Sequence, residues 1–233
     1  MSTIAYEVRD NLAVIRMDDG KVNAMAQPFF DGLNAALDRA EREKPGAVVI
    51  VGRAGAFSAG LNLKVLPTLP PDELATTLRT FGHTLLRVFT FPIPTVAAVT
   101  GHAIAGGAFL SMACDRRYVA EGAWKIHANE VAIGLVLPTW AIIIAESAIP
   151  PLHHTEALLH AKPYLPEEAL ELGIVHGIAR PAERILDVAL EGAAPLAALD
   201  QASYAVSKQR QRAVRVEHAR GLVEQEMIAL PKR

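Results

Sequence analysis

Apolar and polar positions change period several times along the chain, and each change predicts an element. Residues 3–8 and 12–17 set apolar side chains on either side of the polar turn Arg9-Asp10-Asn11, which reads as a hairpin ended by Asp18-Asp19-Gly20. Residues 28–43 return Phe29, Leu33, Ala36 and Leu37 at helical spacing, with Glu, Arg and Lys on the opposite face. Ala47–Val51 is a short all-apolar run, the pattern of a strand buried on both faces. A second amphipathic helix is predicted over 72–89, through Leu74, Leu78, Phe81, Leu85 and Phe89. A buried strand over 94–99, a helix over 106–113 apolar on all sides, and a strand over 117–120 follow. Beyond Pro138 the pattern predicts helices over 139–147, 151–160, 166–172, 182–192 and near 200–228. Strands alternating with helices imply an α/β chain with parallel sheet units. No repeat or linker marks a boundary before about residue 190, so residues 1–190 read as the core and 191–233 as a helical C-terminal layer. Its charged stretch from Lys208 to Glu226 reads as a solvated or interface helix.

Composition narrows the class. A chain of 233 residues makes one large domain or a domain with a small appendage, and 51% hydrophobic content fits a well-buried core, with or without subunit interfaces. A net charge of -2 argues against a nucleic-acid partner. The lone Cys114 has no partner for an internal disulfide, which fits a reducing, cytoplasmic location. No basic segment followed by an apolar one opens the chain, so no secretory signal is expected. The stretch Val88–Cys114, free of Asp, Glu, Lys and Arg, is long enough to suggest a membrane span. Pro92, Pro94, Gly101, Gly106 and Gly107 interrupt it, so it reads as a buried strand-turn-helix and no membrane partner is expected.

Two glycine-bearing turns carry the candidate chemistry: Phe57-Ser58-Ala59-Gly60-Leu61-Asn62, and the segment from Gly101 to Phe109. Each follows a buried strand pattern, and the second opens a helix, whose first N–H groups lack internal partners and carry a partial positive charge. Together they could hold a developing negative charge; a Gly-Gly turn taken alone is more often a packing device. Gly55–Gly60 does not match G-x-S-x-G, which disfavours Ser58 as a nucleophile, and Gly101–Gly107 matches neither a dinucleotide fingerprint nor a P-loop. His153, His154 and His160 lack metalloprotease spacing and sit by Pro150-Pro151, so a surface turn is expected there and no metal site. Glu130 lies in an otherwise apolar run ending at Leu137-Pro138. Partial desolvation there would raise its pKa and suit it to proton transfer; an exposed loop glutamate or a buried ion-pair partner fits the same spacing.

From Tyr6 to about Lys208 these residues occur in the order of the crotonase, or enoyl-CoA hydratase/isomerase, superfamily, which the chain resembles. The matching segments are Lys21-Val22-Asn23-Ala24, Phe57 to Leu63, Gly101 to Asp115, Asn129 to Gly134, and Ala169 to Val175. The resemblance implies a crotonase-type ββα spiral core with a helical C-terminal trimerisation region, assembled as a homotrimer or a dimer of trimers. It implies an acyl-CoA thioester substrate, with no cofactor beyond the coenzyme A of the substrate itself. The backbone N–H groups of Leu61 and Gly106 would hold the thioester oxygen as it becomes an enolate. The coenzyme A moiety would run along Lys21, Val22 and Ala24 and the segment Ala59, Gly60, Leu61, Asn62, Leu63 and Lys64.

The departures set the expected subtype. Hydratases of this family use two glutamates on one water; the second matches Glu130, but the first falls at Phe109. A lone carboxylate suffices to move a double bond, by taking a proton from the α-carbon and returning it at the γ-carbon. Asn129-Glu130, Ser58-Ala59-Gly60-Leu61 and Trp140 look most like the Δ3,Δ2-enoyl-CoA isomerase branch, with a role in fatty-acid metabolism. The alternatives are another enolate reaction (hydrolysis, decarboxylation or the weak hydration of a lyase) or a non-catalytic CoA-binding subunit. Asn62 stands where Asp is usual, which bears on the geometry of its loop.

Overall fold

The computed structural model describes residues 3–226. The hairpin forms as its alternation predicts: β1 (Ile4–Arg9) and β2 (Leu12–Met17) pair antiparallel. Helix α1 (Gln27–Glu43) leads into three successive ββα units. The first is β3 (Ala47–Val51), β4 (Gly55–Ser58) and α2 (Pro71–Phe89); the second is β5 (Thr95–Val99), β6 (Gly101–Ile104) and α3 (Gly106–Ala113). The third is β7 (Arg116–Ala120), β8 (Ile126–His127) and, after a 3-10 turn, α4 (Thr139–Ala148). In each unit the first strand joins a six-stranded sheet ordered β1-β2-β3-β5-β7-β9, parallel from β2 onward, where β9 is Gly177–Ala179. The second strand joins a separate three-stranded parallel sheet, β4-β6-β8.

The core lies on both faces of the larger sheet. Along β3, Val48 and Ile50 face the main cluster, with Phe30, Leu37, Leu85 and Leu110. Ala47, Val49 and Val51 face a second cluster, closed by Ala189 and Ala193 of α7 (Ile185–Ala197). This two-sided burial is why β3 reads as an unbroken apolar run rather than an alternating one. All eight residues of α3 are buried, as its uniform apolarity predicts.

Several elements differ from expectation. β4 and β6, expected as parts of turns, are strands of the small sheet; their Gly, Ala, Ser and His content hides them, and β6 pairs with both β4 and β8. Residues 151–160 divide into a 3-10 turn at Pro151–His153 and a short α5 (His154–Leu158). After α6 (Pro166–Glu171), the helix expected over 182–192 is a 3-10 turn followed by α7. α7 runs unbroken through residues 190 and 191, the expected boundary, and stays on the sheet to its end. Helix α8 (Gln201–Glu226) covers α2 and α4 rather than standing apart in solvent: Val216, Ala219 and Val223 are buried. Lys208, expected on a solvated or interface face, is buried against Asp115 (2.7 Å). Expectations for residues 227–233 lie outside the described residues.

Candidate active site

The small sheet sets the two glycine turns side by side. β4 and β6 are parallel neighbours, so the segments leaving their C-terminal ends, Ala59–Asn62 and Ala105–Gly107, emerge together. They are in contact: a Cβ on Gly60 would lie 2.8 Å from the Gly106 nitrogen, and one on Gly107 would lie 2.1 Å from the Ser58 carbonyl oxygen. Glycine at both positions is therefore a steric requirement. Between β6 and α3, Ala105 takes φ +51° and ψ −124°, outside the usual regions for a residue with a side chain. This sharp reversal starts α3 at Gly106, whose N–H is among the helix's unpaired donors. Neither the Leu61 nor the Gly106 amide has a protein acceptor among the described residues.

The loop ahead of α1 braces the first turn. The Ala59 N–H donates to the Val22 carbonyl (3.0 Å), Met25 to Gly60 (2.8 Å) and Asn62 to Met25 (2.8 Å), a short parallel ribbon. The Asn62 Oδ1 accepts from Lys64 and Val65 (3.2 Å each). An aspartate would accept the same two bonds, so Asn62 leaves the loop geometry intact.

A cavity of about 250 Å³ opens over both turns. It is lined by Ala59, Leu61, Leu63, Gly106, Phe109, Glu130 and Trp140, which the sequence singles out. Ile104 and Asn129, which fall within the marked segments, also face it, as do Leu78, Phe81, Leu137 and Glu226, which no motif marks. Lys21, Val22, Ala24, Gly60 and Asn62 do not line it: Lys21 and Val22 are exposed on the ribbon beside it, and Gly60 and Asn62 act through their backbone. The wall is aromatic. Phe109 is buried with its ring centroid 6.0 Å from that of Trp140, and Phe81 lies 4.8 Å from Trp140, both edge to face.

Two carboxylates reach this cavity, and their states differ. Glu226, at the end of α8, accepts from the Thr139 N–H (2.7 Å) and the Thr139 hydroxyl (2.6 Å), capping α4 with both oxygens. Eighty-seven residues separate this pair, so no local pattern announces it. Glu130 sits just before the 3-10 turn Val131–Ile133, and its Oε2 is buried with no hydrogen-bond partner. Burial pushes its carboxyl from 4.5 up to about 7, against a small opposing pull from its own backbone. Neither the exposed-loop nor the ion-pair alternative for Glu130 describes this environment. Among the described residues no group of three or more His, Cys, Asp or Glu is arranged to hold a metal. No described helix is long and apolar enough to cross a membrane.

Residues 7–229 match the family described as enoyl-CoA hydratase/isomerase. The chain belongs to that family. Among individual enoyl-CoA hydratase/isomerase proteins, it is 28% identical over 204 residues to human mitochondrial enoyl-CoA delta isomerase 1, covering 86% of this chain and 67% of that protein. A Mycobacterium tuberculosis protein, described in one structure as an enoyl-CoA isomerase and in another as a probable enoyl-CoA hydratase, superposes with a TM-score of 0.89, in the first at 38% identity over 98% of both chains. An enoyl-CoA hydratase of Mycobacterium ulcerans superposes with a TM-score of 0.89 at 37% identity, over 96% of this chain and 99% of that one. The three ββα units are thus the enoyl-CoA hydratase/isomerase fold, as the crotonase resemblance implied. Both reaction names occur among proteins of similar likeness, so the subtype rests on the site itself.

Proposed function

We propose that this enzyme shifts the double bond of a 3-enoyl-CoA to the 2-position, with Glu130 as the single acid/base. The observation that carries the reading is the contrast between the two cavity carboxylates: Glu226 is committed to Thr139, whereas Glu130 presents a buried, unpartnered oxygen. The free amides of Leu61 and Gly106 would receive the thioester oxygen. Glu130 then takes the α-proton, the electrons move into the thioester, and the two N–H groups hold the enolate. The carboxylic acid so formed returns the proton at the γ-carbon, and the conjugated product follows with Glu130 ionised again. A pKa near 7 lets one group serve as base and acid at neutral pH. The dry wall of Phe81, Phe109 and Trp140 strengthens the amide–oxyanion interaction and disfavours a second, water-directed step.

Hydration needs a second acid or base at the water, and Phe109 occupies the place a hydratase glutamate takes in the family. The relatives' names support an acyl-CoA substrate while dividing between the two reactions. The test is incubation with 3-hexenoyl-CoA, following 2-hexenoyl-CoA and 3-hydroxyhexanoyl-CoA separately. The proposal expects the conjugated product without the hydroxy product, and loss of turnover in Glu130→Gln. A predominantly hydrated product, or full activity in Glu130→Gln, overturns it.

A further inference from the structure

Four consecutive amides follow β4 toward the cavity, and three of them have protein acceptors. Ala59 donates to the Val22 carbonyl, Asn62 to the Met25 carbonyl, and Gly60 to the hydroxyl of Ser58 (3.1 Å). Leu61 alone of the four has none among the described residues. Ser58 is fully buried, and its hydroxyl hydrogen has a fixed direction, because Oγ donates to the Asn23 carbonyl at 2.7 Å. The oxygen's lone pairs are therefore left for Gly60.

The acceptor of that bond is itself anchored. Asn23 is buried, its Nδ2 donates to the Met17 (3.0 Å) and Phe57 (3.1 Å) carbonyls, and its Oδ1 accepts from the Asp19 N–H (2.9 Å). Gly60 stands at φ +77° between two held peptides: the one carrying its own N–H is held by the Ser58 hydroxyl, and the one carrying the Leu61 N–H is held at the Gly60 carbonyl by the Met25 N–H (2.8 Å). On its other side, the carbonyl of Ser58 packs against Gly107, the residue after Gly106. One residue therefore touches both turns.

We propose that Ser58 is a positioning residue: its hydroxyl fixes the Gly60 amide and so reserves the Leu61 N–H, beside that of Gly106, for the substrate's thioester oxygen. This rests on the reading of Leu61 and Gly106 as the donor pair. Without the hydroxyl, the Gly60 N–H lacks an acceptor in a buried place and turns toward another, and the Leu61 N–H loses one of two restraints, keeping only the Met25 bond to the Gly60 carbonyl. Donors aimed at a developing charge act on the transition state, so the loss falls on kcat rather than on KM.

The test uses the full chain, its Ser58→Ala and Ser58→Cys variants, and butanoyl-CoA isotope-labelled at the thioester carbon as an unreactive probe. Difference infrared spectroscopy reads the probe's carbonyl stretch, and turnover is read on 3-hexenoyl-CoA. The wild-type stretch shifts to lower frequency on binding. Ser58→Ala loses part of that shift, with kcat down about 10–100-fold and KM unchanged. Ser58→Cys, which keeps a weak donor and acceptor, recovers part of both. A wild-type band and wild-type kcat in Ser58→Ala overturn the proposal while leaving the donor pair standing. Should Ser58→Ala fail to fold, Ser58→Cys decides: partial loss of shift and kcat supports the proposal, and wild-type values overturn it. Absence of any shift in the wild type removes the donor-pair reading and this proposal with it.

Discussion

At the scale of single residues, the role proposed for Glu130 bears on both rate and stability. As the proposed base it must be ionised, so kcat/KM should rise with pH through about 7, the value to which burial lifts its carboxyl. A rate profile flat from pH 5.5 to 8.5 would contradict this assignment. The stability effect has the opposite sense. The folded state keeps the proton up to about 7 and the unfolded chain releases it near 4.5, so this group lowers stability as pH rises across that interval. Glu130→Gln removes the cost of a buried charge and should therefore be the more stable protein above pH 7, by roughly 2–3 kcal/mol as an order of magnitude. Urea melts at pH 8 check it; equal or lower stability of the variant would show that Glu130 is not desolvated. The position of Glu130 in an apolar run was legible in the sequence, and so was the missing partner at Phe109. Its freedom from a partner was not, because that depends on what the fold leaves around it. The same limit hid Glu226, which meets Thr139 only after α8 has folded back across α4.

At the scale of elements, the site depends on two short strands that lack a strand pattern. β4 reads Gly-Ala-Phe-Ser and β6 reads Gly-His-Ala-Ile; neither has the β-branched content or alternation that marks β3 and β5. Their register comes from close backbone approach, which only small residues permit. The glycines were therefore legible as an unusual turn, and the sheet that aligns them was not. Gly107 is the severest of these contacts at the donor pair. Gly107→Ala would drive a Cβ to 2.1 Å from the Ser58 carbonyl, and something in the backbone must shift. The expected cost is about 3 kcal/mol or more, comparable to the upper range of overpacking. That corresponds to a fall in Tm of about 6–12 °C for a domain of this size. Calorimetry tests it, and a variant with unchanged Tm would mean that the turns are not packed this tightly.

At the scale of the molecule, α8 reaches from the residues after α3 to the start of α4. Near its start, Lys208 (2.7 Å) and Arg212 (2.9 Å) pair with Asp115 just beyond α3, and at its far end Glu226 caps α4 beside the cavity. Burial works against ionisation of Asp115, but the charges of Lys208 and Arg212 and their hydrogen bonds hold its carboxyl below the usual value. That stability is present above the unfolded-state pKa near 3.8 and is lost as pH falls below it. Lys208→Met leaves Asp115 buried with one cation fewer and should cost about 3–5 kcal/mol at pH 7. Denaturant titration measures it; a loss under 1 kcal/mol would place this cluster in effective contact with solvent. The charged composition of α8 concealed this role, since polarity alone does not distinguish a solvated face from a buried ion pair. The most direct test of the whole account follows a proton rather than a product. With 3-hexenoyl-CoA deuterated at the α-carbon, a single carboxylate that removes and returns the same hydrogen should deliver part of the deuterium to the γ-carbon of 2-hexenoyl-CoA, and Glu130→Gln should abolish that transfer. Failure of the enzyme to form 2-hexenoyl-CoA, or undiminished transfer in Glu130→Gln, would contradict the account.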